Sequence, residues 1–323
     1  MGRNSTGVVL LNMGGPEKLA DVRPFLYNLF SDRSIIRLGP AMLQKPLARL
    51  IAYRRAAKSE ALYARIGGGS PLRKISEHQA EALEQLLHDD GPYHVRVAMR
   101  YWQPSAETAL SELLAHHIER VIAIPLYPHY SRATSGSSFD DLRRALQKSA
   151  PALPLIEVSS WPDHPLYIQS LATGIQSTIA DFGGEPFELV YSAHSLPQSF
   201  IDAGDPYVDE LRKTITALEQ VLGLPGRLCY QSRSGPVQWL APSTSATIKE
   251  LTTAGCRNIL MVPISFVSDH VETLYEINMM FKDEAAAQGA CLKASPSLNT
   301  NPAFIACLRD LVLSAANGDR KID

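Results

Sequence analysis

The sequence predicts an α/β protein of two doubly wound domains, each a parallel sheet flanked by helices. Three observations carry this. Short apolar runs alternate with longer helical patterns along all 323 residues, the mark of βαβ units. The apolar runs are near-continuous, as strands covered on both faces require. The second half also repeats the rhythm of the first. Arg120-Val121-Ile122-Ala123-Ile124-Pro125-Leu126 follows a helical stretch, and Arg257-Asn258-Ile259-Leu260-Met261-Val262-Pro263-Ile264 does the same. Identity between the halves is low, so a duplication rests on this rhythm alone.

Taken in order, strands are expected at 7–12, 93–101, 121–127, 154–158, 187–193, 227–231, 258–266 and 290–295. Helical patterns cover 18–30, 43–58, 71–88, 106–117, 138–149, 165–182, 206–222, 244–254, 272–288 and 302–315. A Pro- and Asp-containing stretch, Trp161-Pro162-Asp163-His164-Pro165, sets the boundary between domains 1–162 and 163–323. The last helix can pack back on the first domain. The long span between residues 12 and 93 departs from the rhythm. In it Leu43, Leu47, Leu50 and Ile51 recur at helical spacing beside Lys45, Arg49, Arg54 and Arg55. Such a segment either lies on an anionic membrane surface, as a lip near 40–58, or packs as an ordinary helix.

Composition narrows the function. Hydrophobic residues make up 45% and charged residues 20%, enough apolar chain for a packed core. A formal net charge of −2 argues against nucleic-acid binding by phosphate neutralisation. No apolar run reaches the length of a membrane span. The start, Met1-Gly2-Arg3-Asn4-Ser5-Thr6, lacks a secretory pattern; it fits the loose myristoylation pattern, but a strand beginning at Gly7 argues against that. Cys229, Cys256, Cys291 and Cys307 form no C-x-x-C pair and read as free thiols of a reducing cytoplasm.

The chemistry concentrates at two strand ends, where parallel α/β sheets bind ligands. The apolar run 262–267 ends in Ser268, Asp269, His270, Glu272 and Glu276. Glu272 and Glu276 lie one helical turn apart and share a face. Clustered acids there need a partner or a purpose. The plainer alternative makes Ser268 or Asp269 a helix cap and Glu272 its capping-box acid. The second end is Ser192-Ala193-His194-Ser195-Leu196-Pro197, where His194 is either a structural histidine or a proton acceptor. Asn12-Met13-Gly14-Gly15-Pro16 is not G-x-G-x-x-G, and no Walker A motif occurs, so a nucleotide cofactor is not indicated. Arg65-Ile66-Gly67-Gly68-Gly69-Ser70-Pro71 is either a loop that receives an anionic substrate arm or a flexible turn. There is no G-x-S-x-G elbow and no H-E-x-x-H pair.

Together these stretches resemble the ferrochelatase family over nearly the whole chain. The resemblance is carried by Leu11-Asn12-Met13-Gly14-Gly15-Pro16, Arg65 to Pro71, and Leu126-Tyr127-Pro128-His129-Tyr130-Ser131 with Gly136-Ser137-Ser138. It continues through Ser192 to Pro197 with Gly204-Asp205-Pro206-Tyr207, then Gln231-Ser232-Arg233 with Gly235-Pro236 and Trp239-Leu240, and Phe266 to Glu276. It implies two similar Rossmann-like, chelatase-type domains and insertion of Fe²⁺ into protoporphyrin IX to make protohaem. By the same resemblance His194 and Glu272 face each other across the macrocycle centre, contacting the metal, as an imidazole and a carboxylate from separate halves of the chain. His270 and Glu276 support them in an acidic path. Met13, Tyr130, Trp239 and Phe266 line the substrate, and Arg65 and Ser70 reach its propionates. Where some relatives use a cysteine for an iron–sulfur cluster, Arg132 follows Tyr130-Ser131, and no cysteine lies beyond Cys307, so no cluster is expected. The expected partners are porphyrin, ferrous iron and the inner membrane face, the last by peripheral contact; no nucleic acid is expected, and the protein is expected as a cytoplasmic monomer. A coproporphyrin or cobalt chelatase and a non-catalytic tetrapyrrole carrier are the alternatives.

Overall fold

A computed structural model describes residues 5–318. Gly2 of the myristoylation-like start, and the tail 319–323, lie outside the described residues. The chain forms two compact units. One comprises the chain up to Ser160 together with the residues from Ile305 onward; the other is Trp161–Phe304. The last helix, Pro302–Asn317, therefore belongs mostly to the first unit.

The first unit carries β1 (Thr6–Asn12), β2 (Tyr93–Met99), β3 (Arg120–Pro125) and β4 (Leu155–Glu157). They form a parallel sheet in the order β2-β1-β3-β4. The second unit carries β5 (Glu188–His194), β6 (Arg227–Gln231), β7 (Asn258–Pro263) and β8 (Cys291–Ala294), parallel in the order β6-β5-β7-β8. The two orders are the same. Each central strand is buried on both faces, which its continuous apolar run requires. Helices cover each sheet through clusters built on Val9, Leu11, Leu110, Leu113, Phe139 and Leu142 in the first unit. In the second, Val190, Ile248, Ile259, Met261, Ile277 and Phe281 do the same.

The shared plan reaches individual hydrogen bonds. Beyond Pro125 the Leu126 N–H donates to the Leu11 carbonyl at 2.8 Å; beyond Pro263 the Ile264 N–H donates to the Ser192 carbonyl at 3.1 Å. Met99 N–H donates to the Pro104 carbonyl at 2.7 Å, and Tyr230 N–H to the Pro242 carbonyl at 3.0 Å. The next residue in each unit, Ser105 or Ser243, caps a helix through its hydroxyl. Equating Leu11 with Ser192 also equates the residues two further on. Met13 in the first unit thus holds the position of His194 in the second.

The structure revises three expectations. β2, β3 and β7 stop at Met99, Pro125 and Pro263, short of the expected 101, 127 and 266. The segment expected as a helix over 272–288 begins with a π-helical run, Glu272–Phe281, before the α-helix Lys282–Ala287. Finally, the helix Gln44–Arg65 packs through Gln44, Ala48, Ala52, Ala56 and Tyr63, an alanine ridge rather than the leucine stripe. Leu43 and Leu50 are exposed on its outer side, with Met42 (84% exposed) and Tyr53 (65%).

A buried ion pair fixes the start of this region. Asp32 Oδ2 accepts from Arg100 Nη2 at 2.6 Å, Tyr101 Oη at 2.8 Å and Ser137 Oγ at 2.9 Å, and Asp32 Oδ1 accepts from the Ser34 N–H at 2.8 Å. The two charged side chains are only 8% and 16% exposed. Burial raises the Asp32 pKa, but these donors outweigh it and hold the carboxyl below its usual value. Its contribution is therefore full above the ordinary carboxylate pKa and is lost as pH falls through the lower folded value. Asp32→Ala is expected to cost about 3 kcal/mol in urea unfolding at pH 7. That is the lower end for a broken buried pair, because Asp141 still lies 3.7 Å from Arg100. The deficit should shrink on acidification.

Candidate active site

His194 and Glu272 meet at the carboxyl ends of neighbouring strands. His194 closes β5; Glu272 opens the π-helical run that follows β7, and β5 pairs with β7. Nδ1 of His194 lies 2.9 and 3.1 Å from the two Glu272 oxygens. The expectation that they come from separate halves of the chain is corrected: both belong to the second unit and are in direct contact. The sequence between them runs through β6 on the far side of β5 before returning to β7, and holds no domain boundary.

The contact sets the imidazole's chemistry. With Nδ1–H donating to the carboxylate, the neutral ring presents Nε2 as a lone-pair acceptor. Nε2 has no hydrogen-bond partner among the described residues, and 38% of the side chain is exposed. The backbone of His194 is held at both ends: its N–H donates to Ser265 Oγ at 3.0 Å and its carbonyl accepts from Tyr207 Oη at 3.0 Å. Burial alone would lower the His194 pKa; the charge and hydrogen bond of Glu272, with a smaller contribution from Glu276, reverse this and raise it.

Glu272 is nearly buried, and burial works to raise its pKa. The His194 charge and hydrogen bond, helped by His270, hold it well below its usual value. Glu276 shows the opposite outcome: burial first, then repulsion from Glu272, push it up to about 7. The pair therefore holds one ionised and one readily protonated carboxyl. Ser232 Oγ sits between them, 2.6 Å from Glu272 Oε2 and 2.7 Å from Glu276 Oε2. Gln231 Nε2 approaches both at 3.4–3.5 Å, its carbonyl oxygen tied by Ser192 Oγ at 2.6 Å.

The helix-cap reading fails for Glu272, whose carboxylate turns to His194 and Ser232. Asp269 instead pairs with Asn299 Nδ2 at 2.8 Å and accepts from Thr273 Oγ1 at 3.0 Å. His270 donates Nδ1–H to the Ser268 carbonyl at 3.1 Å and places Nε2 3.8 Å from Glu272. The Phe266 ring lies between the two imidazoles, its centroid 6.4 Å from that of His194 and 4.3 Å from that of His270. Trp239 bridges to Pro197 just beyond His194. The structure thus gathers His194, His270, Glu272, Glu276, Phe266 and Trp239 within the second unit.

Met13, Arg65, Ser70 and Tyr130 belong to the first. Met13 follows β1, its N–H bonded to Asn12 Oδ1 at 2.8 Å and its carbonyl to the Tyr101 N–H at 3.0 Å. Ser70 packs on the same turn: its N–H donates to the Pro16 carbonyl, and a side chain at Gly15 would sit 2.7 Å from Ser70 Cβ. The glycine loop is not an open anion nest. The Gly67 and Gly68 N–H groups close the helix Gln44–Arg65 on the Ala64 and Tyr63 carbonyls, leaving Arg65 exposed at its end. Tyr130 Oη lies 2.9 Å from where a Cβ of Gly136 would stand, in a second π-helical turn, Arg132–Gly136. His129 beside it is buried, which lowers its pKa to about 3 and keeps it neutral.

Ser232, Ser265, Tyr207 and Gln231 are the site residues that sequence reasoning gave no role. Ser232 had a usable signal, since it directly follows a strand end. Among the described residues no three or more His, Cys, Asp or Glu side chains form a group that could hold a metal ion.

Two parallel sheets of one plan, with an acid–base pair at the strand ends of one, define a two-unit α/β protein of the type seen in SirB. SirB from Bacillus subtilis, solved with Fe³⁺, aligns with a TM-score of 0.60 at 12% identity, covering 99% of both chains. The sirohydrochlorin chelatase SirB from Bacillus subtilis subspecies spizizenii, in complex with cobalt, gives 0.56 at 10% identity over 97% and 96%. At these identities the likeness is one of fold.

The family follows from sequence. Residues 5–316 match the ferrochelatase family. The ferrochelatase of Desulfotalea psychrophila is 58% identical, covering 97% of this chain and 98% of its own. That of Geotalea daltonii is 50% identical over 96% and 97%. The chain belongs to the ferrochelatase family, enzymes that insert a metal ion into a porphyrin to make haem.

Proposed function

We propose that this chain inserts Fe²⁺ into protoporphyrin IX, completing protohaem, with His194 and Glu272 handling the protons. The observation that supports this best is the imidazole held through Nδ1 by a carboxylate with Nε2 unpartnered. Metal insertion releases two pyrrole N–H protons. Nε2 accepts one as Nδ1–H passes to Glu272, which leaves His194 neutral again. Glu276, already close to proton uptake near pH 7, is the next acceptor in line. Fe²⁺ accepts both imidazole nitrogen and carboxylate oxygen, so His194 and Glu272 are also its first contacts. His270 keeps Nε2 toward the same carboxylate.

In the same reading Phe266, Trp239, Tyr130 and Met13 are the contacts of the macrocycle. Arg65 and Ser70 take the propionates. A wall that bends the ring exposes its nitrogen lone pairs, at about 1–5 kcal/mol of strain supplied by remote contacts. Anaerobic incubation with Fe²⁺ and protoporphyrin, followed by absorbance, tests the reading. Metal insertion should be faster into protoporphyrin than into coproporphyrin, and faster with iron than with cobalt. Porphyrin binding without haem formation would instead indicate a carrier.

The enzyme is further proposed to work as a monomer in the cytoplasm, without an iron–sulfur cluster, peripheral on the inner membrane face. What supports the last point is the outward set Met42, Leu43, Leu50 and Tyr53 beside Lys45, Arg49 and Arg54, a mixture suited to anionic lipid. No described helix is long and apolar enough to cross a membrane. Met42→Asp should weaken co-sedimentation with phosphatidylglycerol vesicles by about tenfold, the effect of one apolar side chain. Equal binding would remove this segment from the contact.

A further inference from the structure

One hydroxyl within hydrogen-bond distance of two carboxylates cannot satisfy both by donation. Ser232 Oγ is 2.6 Å from Glu272 Oε2 and 2.7 Å from Glu276 Oε2, yet carries a single hydrogen. Both separations are those of short, charge-assisted O–H···O bonds. Oγ can donate to only one of the two carboxyls at a time, and it bonds both when the other carboxyl is protonated and donates to Oγ. Gln231 faces the same two groups at 3.4–3.5 Å, but an amide N–H does not exchange its proton.

The backbone at Ser232 is arranged for this contact. Its φ is +64°, a left-handed conformation that side-chain-bearing residues avoid. It directly follows the last residue of β6, whose partner His194 closes β5. The left-handed turn directs the hydroxyl between the two acids of the π-helical run instead of extending the strand. A glycine would adopt the turn freely; the serine here adds a hydroxyl beside the two acids.

From this we infer that Ser232 is the relay through which Glu272 passes a proton to Glu276 during metal insertion. In one exchange, protonated Glu272 gives its proton to Oγ as the original Oγ–H proton moves to Glu276. Serine ends with one hydrogen, Glu272 ends ionised and Glu276 ends protonated. Glu272 is then ionised and able to accept again, once His194 has returned to the tautomer with its lone pair on Nε2. The inference rests on the proposed roles of His194 and Glu272. Ser232 itself acts through them, as a positioning and relay residue rather than one that touches the reacting nitrogens.

The test compares Ser232→Gly and Ser232→Asn with wild type in steady-state Fe²⁺ insertion, with porphyrin binding followed by fluorescence. Both replacements tolerate the left-handed backbone, so folding is preserved, which thermal melting checks. Asparagine keeps a hydrogen-bond donor between the acids but cannot relay. Both variants are expected to lose about 10–100-fold in kcat with KM for porphyrin within about twofold, the scale of one lost proton-transfer group. Wild-type kcat in Ser232→Asn would reduce Ser232 to a clamp and overturn the relay. Raised KM with unchanged kcat would make it a substrate contact and also overturn it. His194→Ala, run alongside, separates the two claims: if that variant turns over normally, the underlying reading has failed rather than the relay alone.

Discussion

His194→Ala is expected to lower the rate of metal insertion by about 10²–10⁴-fold, the usual contribution of a positioned acid–base group. Porphyrin binding and the unfolding midpoint should stay near wild type. The reason is local. Nε2 of His194 has no hydrogen-bond partner among the described residues and is held in place by Glu272 through Nδ1 and by Ser265 and Tyr207 through the backbone. Those backbone bonds do not involve the side chain and survive the substitution. Glu272 keeps Ser232 at 2.6 Å, so its carboxylate is not stranded. Single-turnover absorbance, with porphyrin fluorescence as the binding control, makes the comparison.

Glu272→Gln should fall in the same range while altering the pH profile in a defined direction. Glutamine fits the space and its amide oxygen still accepts from Nδ1–H, so the ring stays oriented. It takes no proton from His194, so the imidazole is not regenerated between the two pyrrole protons. The His194 pKa is raised only because Glu272 overrides the opposing effect of burial. Without that charge it drops. Activity needs the neutral ring, so the acid limb of kcat against pH should move to lower pH in the variant. A limb that stays in place, or moves up, would separate the limb from the His194–Glu272 contact. Glu276, pushed up to about 7 by burial and the neighbouring charge, should fall toward its usual value in the same variant.

Much of the architecture was legible because buried parallel strands leave near-continuous apolar runs, and all eight strands lie where such runs occur. Their ends were overdrawn at β3 and β7, where proline lacks an N–H to continue the ladder and the apolar run goes on into the loop. The π-helical run was harder to read. Its buried residues, Thr273, Ile277 and Phe281, recur every fourth position, a spacing that an α-helix also allows over short lengths. In Gln44–Arg65 the leucines carried the visible pattern, while the face that packs is made by alanines, whose small size gives little signal in sequence.

At the site, the residue types were visible and the geometry was not. His194 and the 268–276 cluster stood out as ionisable groups after apolar runs. The boundary near residue 162 already places them in one domain, but that they touch depends on the pairing of β5 with β7, a long-range fact no local pattern carries. Ser232 was passed over because a serine after a strand is ordinary in sequence. Its left-handed backbone and two acid neighbours exist only in three dimensions.

The account stands on His194 and Glu272 acting as one proton-handling pair. A double-mutant cycle in anaerobic Fe²⁺ insertion measures this directly. If they are a unit, the His194→Ala/Glu272→Gln enzyme is no slower than the slower single variant, because the second change removes nothing the first had left working. Losses that multiply, leaving the double variant slower by the product of the two single effects, would show two independent contributions and contradict the pair.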